Sequence, residues 1–181
     1  LLPGAAPRWH FIGRLQRNKV KQLAGKVELI HAVDSLELAR EIGKRAVTGG
    51  EAQRVLLAVN LGGEASKSGV TAAQALALAA ELAAVPSLAW CGLMTIPPPA
   101  DDAEASRPMF RALAELRGRL QEQLGRALPV LSMGMSGDFE VAIAEGATHV
   151  RIGTAIFGSR PVADPDGEGG SVGPGAVGPV G

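Results

Sequence analysis

The stretch LSMGMSGDFEVAIAEGATHVRIGTAIFGSR, residues 131–160, decides the fold. It holds two short apolar runs, and each breaks abruptly into Gly, Ser or Thr. Such runs, bounded by turn residues, read as strands buried on both faces. One short helical pattern separates them. A strand, a helix and a second strand with no hairpin turn between them argue for parallel pairing.

The same alternation extends back along the chain. Strands are expected at RWHFI (8–12), VELIHAV (27–33), RVLLAVNL (54–61), LAWCGLMTI (88–96), PVLSM (129–133) and HVRI (149–152). Helices fit between them. Residues 35–47 open at Ser35, a good N-cap, with Leu36, Leu38, Ala39, Ile42 and Ala46 apolar. Residues 71–84 form an alanine-rich helix that stops before Pro86. Residues 104–125 carry Met109, Leu113, Leu116, Leu120 and Leu124 at steps of three and four, with arginines opposite. A parallel α/β sheet is either open or closed into a barrel. The chain's last strands favour a (β/α)8 TIM-type barrel, because such barrels often hold phosphate with the loops after their last two strands and a short extra helix. GTAIFG, after the last strand, reads as that one-turn helix, opening with Gly153 and Thr154. About six of the eight β/α units are visible, in a domain spanning 1–160.

The ends of the sequence read differently. LLPGAAP at the start has neither an initiator methionine nor the charged segment of a signal peptide. The expectation is an N-terminal truncation, with two further β/α units upstream of Leu1. Residues 161–181 are dense in Gly and Pro and are expected to be a disordered tail.

Composition narrows the function classes. The 18 basic and 18 acidic residues cancel, so neither nucleic acid nor a membrane surface is favoured as a partner. No apolar run approaches the length of a membrane span. The single cysteine, Cys91, sits in an apolar run and reads as core; with no second cysteine in these residues, the composition suits the cytoplasm.

The two small-residue corners carry the chemistry. A helix N-terminus leaves backbone N–H groups without intrahelical partners and carries partial positive charge, so it attracts anions. GMSGD supplies Gly134, Ser136 and Gly137; RIGTA supplies Gly153 and Thr154. Glycines allow close backbone approach and the hydroxyls add donors. On neighbouring barrel strands the two corners would face one phosphate. Each alone reads as an ordinary strand-to-helix turn, with Ser136 capping its helix; it is the pair, at the last two strands, that favours phosphate.

Arg151 is the second clue. In HVRIG the alternation puts His149, Arg151 and Gly153 on one face of a strand. An arginine in an apolar strand must meet an acceptor, since an unpaired buried charge is very costly. That acceptor is either a carboxylate of a nearby strand or an atom of the ligand that owns the phosphate. Two more strand ends carry polar loops: NLGGEASKSG (60–69), with Asn60, Glu64, Ser66 and Lys67, and WHFIGRLQRNK (9–19), with Gln16, Asn18 and Lys19. Loops after strands build a barrel's working face, although a solvated loop fits both equally. GLMTIPPP (92–99) ends its strand in a rigid proline turn, where Met94 and Thr95 are candidates to line the cavity. His10, His31 and His149 show no metal-ligand spacing and read as satisfied core histidines.

WHFIGRLQRNK, NLGGEASKSG, GLMTIPPP and the opening stretch together resemble successive signatures of the pyridoxal phosphate homeostasis proteins, from about residue 8 to 160. The resemblance implies a barrel like the N-terminal domain of alanine racemase, with pyridoxal 5′-phosphate at its mouth. By motif, Ser136, Gly153 and Thr154, with Gly134 beside them, would hold the phosphate. Arg151 would bond the pyridine nitrogen, and His10, Asn60, Met94 and Met133 would sit near the cofactor. It also implies a role in vitamin B6 and amino-acid homeostasis: holding the cofactor reversibly, without catalysis of its own, and releasing it to pyridoxal-phosphate-dependent apoenzymes. A monomer is expected.

This sequence departs from the family in one respect. The family's Schiff-base lysine lies in a V-S-K-like motif at the end of the first barrel strand, and no such motif appears here. Lys19, Lys21, Lys26, Lys44 and Lys67 are the lysines available, none of them set up for that role; the lysine is expected upstream of Leu1. Three alternatives stay open: a pyridoxal-phosphate-dependent enzyme of alanine racemase fold, a barrel enzyme acting on a phosphorylated substrate, and a fragment that binds nothing. Racemase chemistry is disfavoured, because the racemases use a tyrosine and a second β-rich domain, and this chain has no tyrosine.

Overall fold

Apolar residues on both faces of a strand demand cover on both sides, and the chain meets that demand with one sheet and a layer of helices. In a computed structural model, residue 4 and residues 6–46, 51–63 and 68–158 are described. The strands are β1 (His10–Phe11), β2 (Leu29–Val33), β3 (Gln53–Ala58), β4 (Leu88–Met94), β5 (Val130–Met135) and β6 (His149–Arg151). The helices are α1 (Val20–Leu23), α2 (Leu36–Ala46), α3 (Ala72–Ala83), α4 (Arg107–Leu124), α5 (Phe139–Ala144) and α6 (Thr154–Phe157). Every strand pairs in parallel with its neighbour in sequence, giving the order β1-β2-β3-β4-β5-β6.

The sheet is a half-barrel. Laid flat, six strands would hold their two edges roughly 24 Å apart at about 4.8 Å per step. Yet the ring centroids of His10 on β1 and His149 on β6 are 5.7 Å apart. Only a sheet rolled towards closure brings its edges that near.

The convex face carries most of the core. Ile30, Val55, Leu57, Leu93, Leu131 and Met133 project outward and pack with Leu38 and Ile42 of α2 and Leu113 and Leu120 of α4. Truncating any one of these leucines to alanine would cost about 2–5 kcal/mol. The concave face carries a smaller apolar cluster of Leu29, Ala32, Leu56, Ala58, Met94 and Val130, with Cys91 against it. Cys91 is only part-buried, packed against the edge of that cluster rather than within it.

Local signals set the helix ends. Thr71 and Gln74 form a reciprocal capping box at the start of α3. Gly125, at φ 62°, ends α4. The helix expected over 104–125 begins regular α geometry only at Arg107, after a 3₁₀ turn at Ala103–Ser106. Pro108 has no N–H to give the carbonyl of Glu104, so the first turn tightens instead. Within the first polar loop, a 3₁₀ turn (Arg17–Lys19) and α1 form where only a loop is expected. The tail at 161–181 and the loop residues Glu64, Ser66 and Lys67 lie outside the described residues. Among the described residues no helix is long and apolar enough to cross a membrane.

Candidate functional site

The C-terminal ends of β5 and β6 meet. Ser136 does not cap α5; that position belongs to Asp138, whose carboxylate accepts from the Met135 N–H at 2.7 Å and from the Ser106 hydroxyl at 2.9 Å. The Ser136 hydroxyl oxygen instead accepts from the N–H groups of Gly153 and Ala155, at 3.2 and 3.3 Å. Two backbone donors therefore converge on one oxygen, with Thr154 exposed between them at the first position of α6. The arrangement suits an anion.

The two glycines of these corners differ in kind. A Cβ on Gly134, at φ 90°, would lie 2.5 Å from the Ala142 Cβ and 3.1 Å from the Phe139 Cα. That glycine lets α5 pack on β5. A Cβ on Gly153 would meet nothing within 4 Å, so close packing does not explain it.

Arg151 is part-buried on the concave face, beside those corners. Its Nη1 donates to the Ser132 hydroxyl at 2.7 Å and its Nη2 to the Thr95 carbonyl at 2.9 Å. No carboxylate pairs with it among the described residues, which removes the strand carboxylate as its acceptor. Burial lowers its pKa, partly offset by Asp138, but a guanidinium stays charged at any working pH.

The three histidines, remote in sequence, gather behind it. His31 Nδ1 is 2.9 Å from the Ser132 hydroxyl, and His31 Nε2 is 3.1 Å from His10 Nδ1. The His149 ring lies tilted against His10, centroids 5.7 Å apart, and edge-on to His31 at 6.2 Å, and its Nδ1 meets the Thr148 hydroxyl at 3.0 Å. Burial, then His10, Arg151 and His149, push the pKa of His31 down to about 3. Burial followed by His10 lowers that of His149. Among the described residues no group of His, Cys, Asp or Glu is arranged to hold a metal ion.

Across the ends of β1 to β4 lies a cavity of about 660 Å³; Arg151, Ser136, Gly153 and Thr154 do not line it, and Arg151 reaches it only through its bond to Thr95, which sits between the lining residues Met94 and Ile96. Ile12, Gly13, Arg14, Ala32, Ala58, Val59, Asn60, Ser68, Met94 and Ile96 line it. Asn60 and Met94 are among the lining residues, whereas His10 is not and lies instead against His31 and His149. Gln16, Asn18 and Lys19 do not line it and are exposed to solvent.

Met133 requires correction. It is fully buried in the core beneath the helices, on the opposite face from the cavity. Alternation along β5 aims Ser132 inward and therefore Met133 outward. Ser132 is the residue that the sequence reading missed, as was the carbonyl of Thr95. A serine in the apolar run PVLSM, two positions before Gly134, was the available signal.

The rolled parallel sheet with its charged interior and small-residue corners defines the class. An alanine racemase from Clostridium difficile 630 superposes with a TM-score of 0.66 at 17% identity, covering 88% of this chain and 41% of that one. At that identity the likeness is of fold alone. A family model described as alanine racemase, N-terminal domain, matches residues 4–161. Much nearer in sequence is the pyridoxal phosphate homeostasis protein of Aquifex aeolicus (strain VF5), 56% identical over 152 residues, which are 84% of this chain and 67% of that protein. PipY of Synechococcus elongatus PCC7942, solved with pyridoxal phosphate bound, matches with a TM-score of 0.76 and 34% identity over 83% of this chain and 70% of PipY. The chain belongs to the alanine racemase N-terminal domain family and, within it, to the pyridoxal phosphate homeostasis proteins. It spans about two thirds of the length of the curated relatives it matches.

Proposed function

We propose that this protein holds pyridoxal 5′-phosphate reversibly and serves vitamin B6 and amino-acid homeostasis without catalysing a reaction of its own. The observation that carries the proposal is the juxtaposition on β6 of a fixed guanidinium and an anion-type corner, with a part-apolar cavity joined to the guanidinium through Thr95. A planar heteroaromatic ring bearing a phosphate needs those three features. The phosphate falls to the Ser136 hydroxyl and the N–H groups around Gly153 and Thr154. The ring nitrogen falls to Arg151, and the ring edges to Met94 and Asn60.

The bound cofactor would supply a reactive aldehyde and an electron-withdrawing ring. Arg151 limits the second of these. A permanent cation donating to the ring nitrogen disfavours its protonation, and an unprotonated ring is the weaker electron sink. A carrier tolerates that, and so does a racemase of the same fold. No lysine lines the cavity among the described residues, so none of those lining residues fixes the aldehyde covalently. Transfer to apoenzymes, a monomeric state and residence in the cytoplasm complete this reading.

The test is titration of the purified protein with pyridoxal 5′-phosphate, followed by visible absorbance and by equilibrium dialysis. Saturable binding that inorganic phosphate competes away, and that Arg151→Met weakens about tenfold, is the expected result. A protein that retains no cofactor at millimolar concentration overturns the proposal.

A further inference from the structure

We infer that Ser132 and His31 are positioning residues for Arg151, joined to it in one directed hydrogen-bond chain that sets the orientation of the guanidinium. The inference rests on the reading of Arg151 as the partner of the ring nitrogen.

The direction follows from which atoms own protons. A guanidinium only donates, so the Ser132 oxygen accepts from Arg151 Nη1 at 2.7 Å. The one proton of that hydroxyl still needs an acceptor, and His31 Nδ1 lies 2.9 Å away. His31 is 2% exposed and is held neutral, so only one of its ring nitrogens carries a proton. Were that proton on Nδ1, two donors would converge on Ser132, and the serine's own proton would have no acceptor among the described residues. With the proton on Nε2, every donor is matched: Arg151 to Ser132, Ser132 to His31, and His31 to His10 Nδ1 at 3.1 Å.

Electrostatics favours the same order. Each link turns its negative end towards the cation, and successive links polarise one another in the low-dielectric interior. Ser132 is fully buried, so removing its hydroxyl leaves both His31 Nδ1 and one edge of the guanidinium without a partner. The opposite edge is fixed separately: Nη2 donates to the Thr95 carbonyl, while the Thr95 hydroxyl donates to the Val59 carbonyl at 2.9 Å. Two of the five guanidinium protons thus serve the protein and set the plane in which the rest lie. Sequence spacing hides this arrangement, because its members come from β1, β2, β5 and β6.

The experiment compares the wild type with Ser132→Ala and Ser132→Thr by nitrogen-15 NMR of the whole chain, first without ligand. His31 is expected as the Nε2–H tautomer with a hydrogen-bonded Nδ1, and Arg151 should show slowly exchanging Nη protons. Ser132→Ala should abolish both signatures and Ser132→Thr should retain them. Pyridoxal 5′-phosphate labelled at the ring nitrogen is then added. Ser132→Ala should weaken its binding about tenfold and move the ring nitrogen resonance towards the unbonded position, with threonine restoring both. If Ser132→Ala does not fold, Ser132→Cys, close in volume and a weak acceptor, is read the same way. An Nδ1–H tautomer at His31, or unchanged Arg151 exchange in the alanine variant, overturns the inference. Wild-type affinity and ring shift in that variant overturn it as well. A wild type that shows the tautomer and slow exchange but ignores the cofactor overturns the proposed function and leaves the chain of bonds standing.

Discussion

The hydroxyl of Ser136 accepts the N–H of Gly153 at 3.2 Å and so pins the corner after β5 to the corner after β6. A second bond, from the N–H of Ala155 at 3.3 Å, makes the pinning two-pronged. Replacing Ser136 with alanine removes this shared acceptor together with a hydroxyl donor for any anion. A hydrogen bond to a charged group is worth about 1.5–3 kcal/mol, so affinity for pyridoxal 5′-phosphate should fall by about tenfold or more. Isothermal titration of Ser136→Ala measures it. Unchanged affinity would reduce Ser136 to a local brace.

The glycines separate by the same reasoning. A Cβ on Gly92 would lie 1.8 Å from the Val130 carbonyl oxygen, which is backbone of the adjoining strand and has nowhere to go. Gly92→Ala should yield no soluble folded protein. Gly134→Ala meets the Ala142 Cβ at 2.5 Å and the Phe139 Cα at 3.1 Å, on a helix that can shift, and adds left-handed strain, costing about 3 kcal/mol. Gly153→Ala should change stability by less than about 0.5 kcal/mol while weakening cofactor binding. Thermal melts of the three variants give the ranking, and a Gly153→Ala as unstable as Gly134→Ala would contradict it.

Stability should fall on mild acidification. His31 titrates at about 3 when folded, well below its ordinary value of 6.5. Between those values the unfolded chain takes up a proton that the folded chain refuses. The contribution of neutral His31 is therefore whole above about pH 6.5 and is lost as the pH falls towards about 3, at up to about 1.4 kcal/mol per unit. His149, also lowered, adds in the same sense. Among the described residues the charged and titratable groups acting on His31 are His10, Arg151 and His149, with no carboxylate to reverse the sign. Glu41, Glu104 and Glu145 are lowered below their ordinary value of 4.5 and enter only at lower pH. Urea midpoints at about pH 7, 6 and 5 should decrease in that order, and a flat profile would contradict the assignment.

The capping box of α3 offers a control remote from the site. Thr71→Ala removes the acceptor for the Gln74 N–H and should cost about 1 kcal/mol, leaving cofactor binding untouched. Thr71→Ser should be close to neutral. Denaturant unfolding of both variants settles it.

All six strands could be read from composition and turn residues, because strands buried on both faces stand out as apolar islands. Their inner ends were less legible: β3 runs Gln53–Ala58 rather than 54–61, since Val59 and Asn60 already serve the mouth. The four residues of α1 carry no periodicity long enough to register. Within the site, Arg151 and the paired corners were visible because charge and glycine are conspicuous among apolar neighbours. The resemblance sets Met133 near the cofactor, whereas alternation along β5 turns Ser132 to Arg151 and Met133 into the core on the other face. The gathering of His10, His31 and His149 could not be seen at all. It depends on the roll of the sheet, which single strands do not encode.

The bond from Arg151 to the Thr95 carbonyl reaches past β5 to the end of β4. A tie that skips a strand acts as a crossbar: β6 cannot slide outward without tearing it. The width of the mouth and its positive charge are therefore one variable rather than two. Any substitution at position 151 that discharges the site also slackens it, so charge and shape can be dissected only from the flanks, at Ser132 and at the backbone of Thr95.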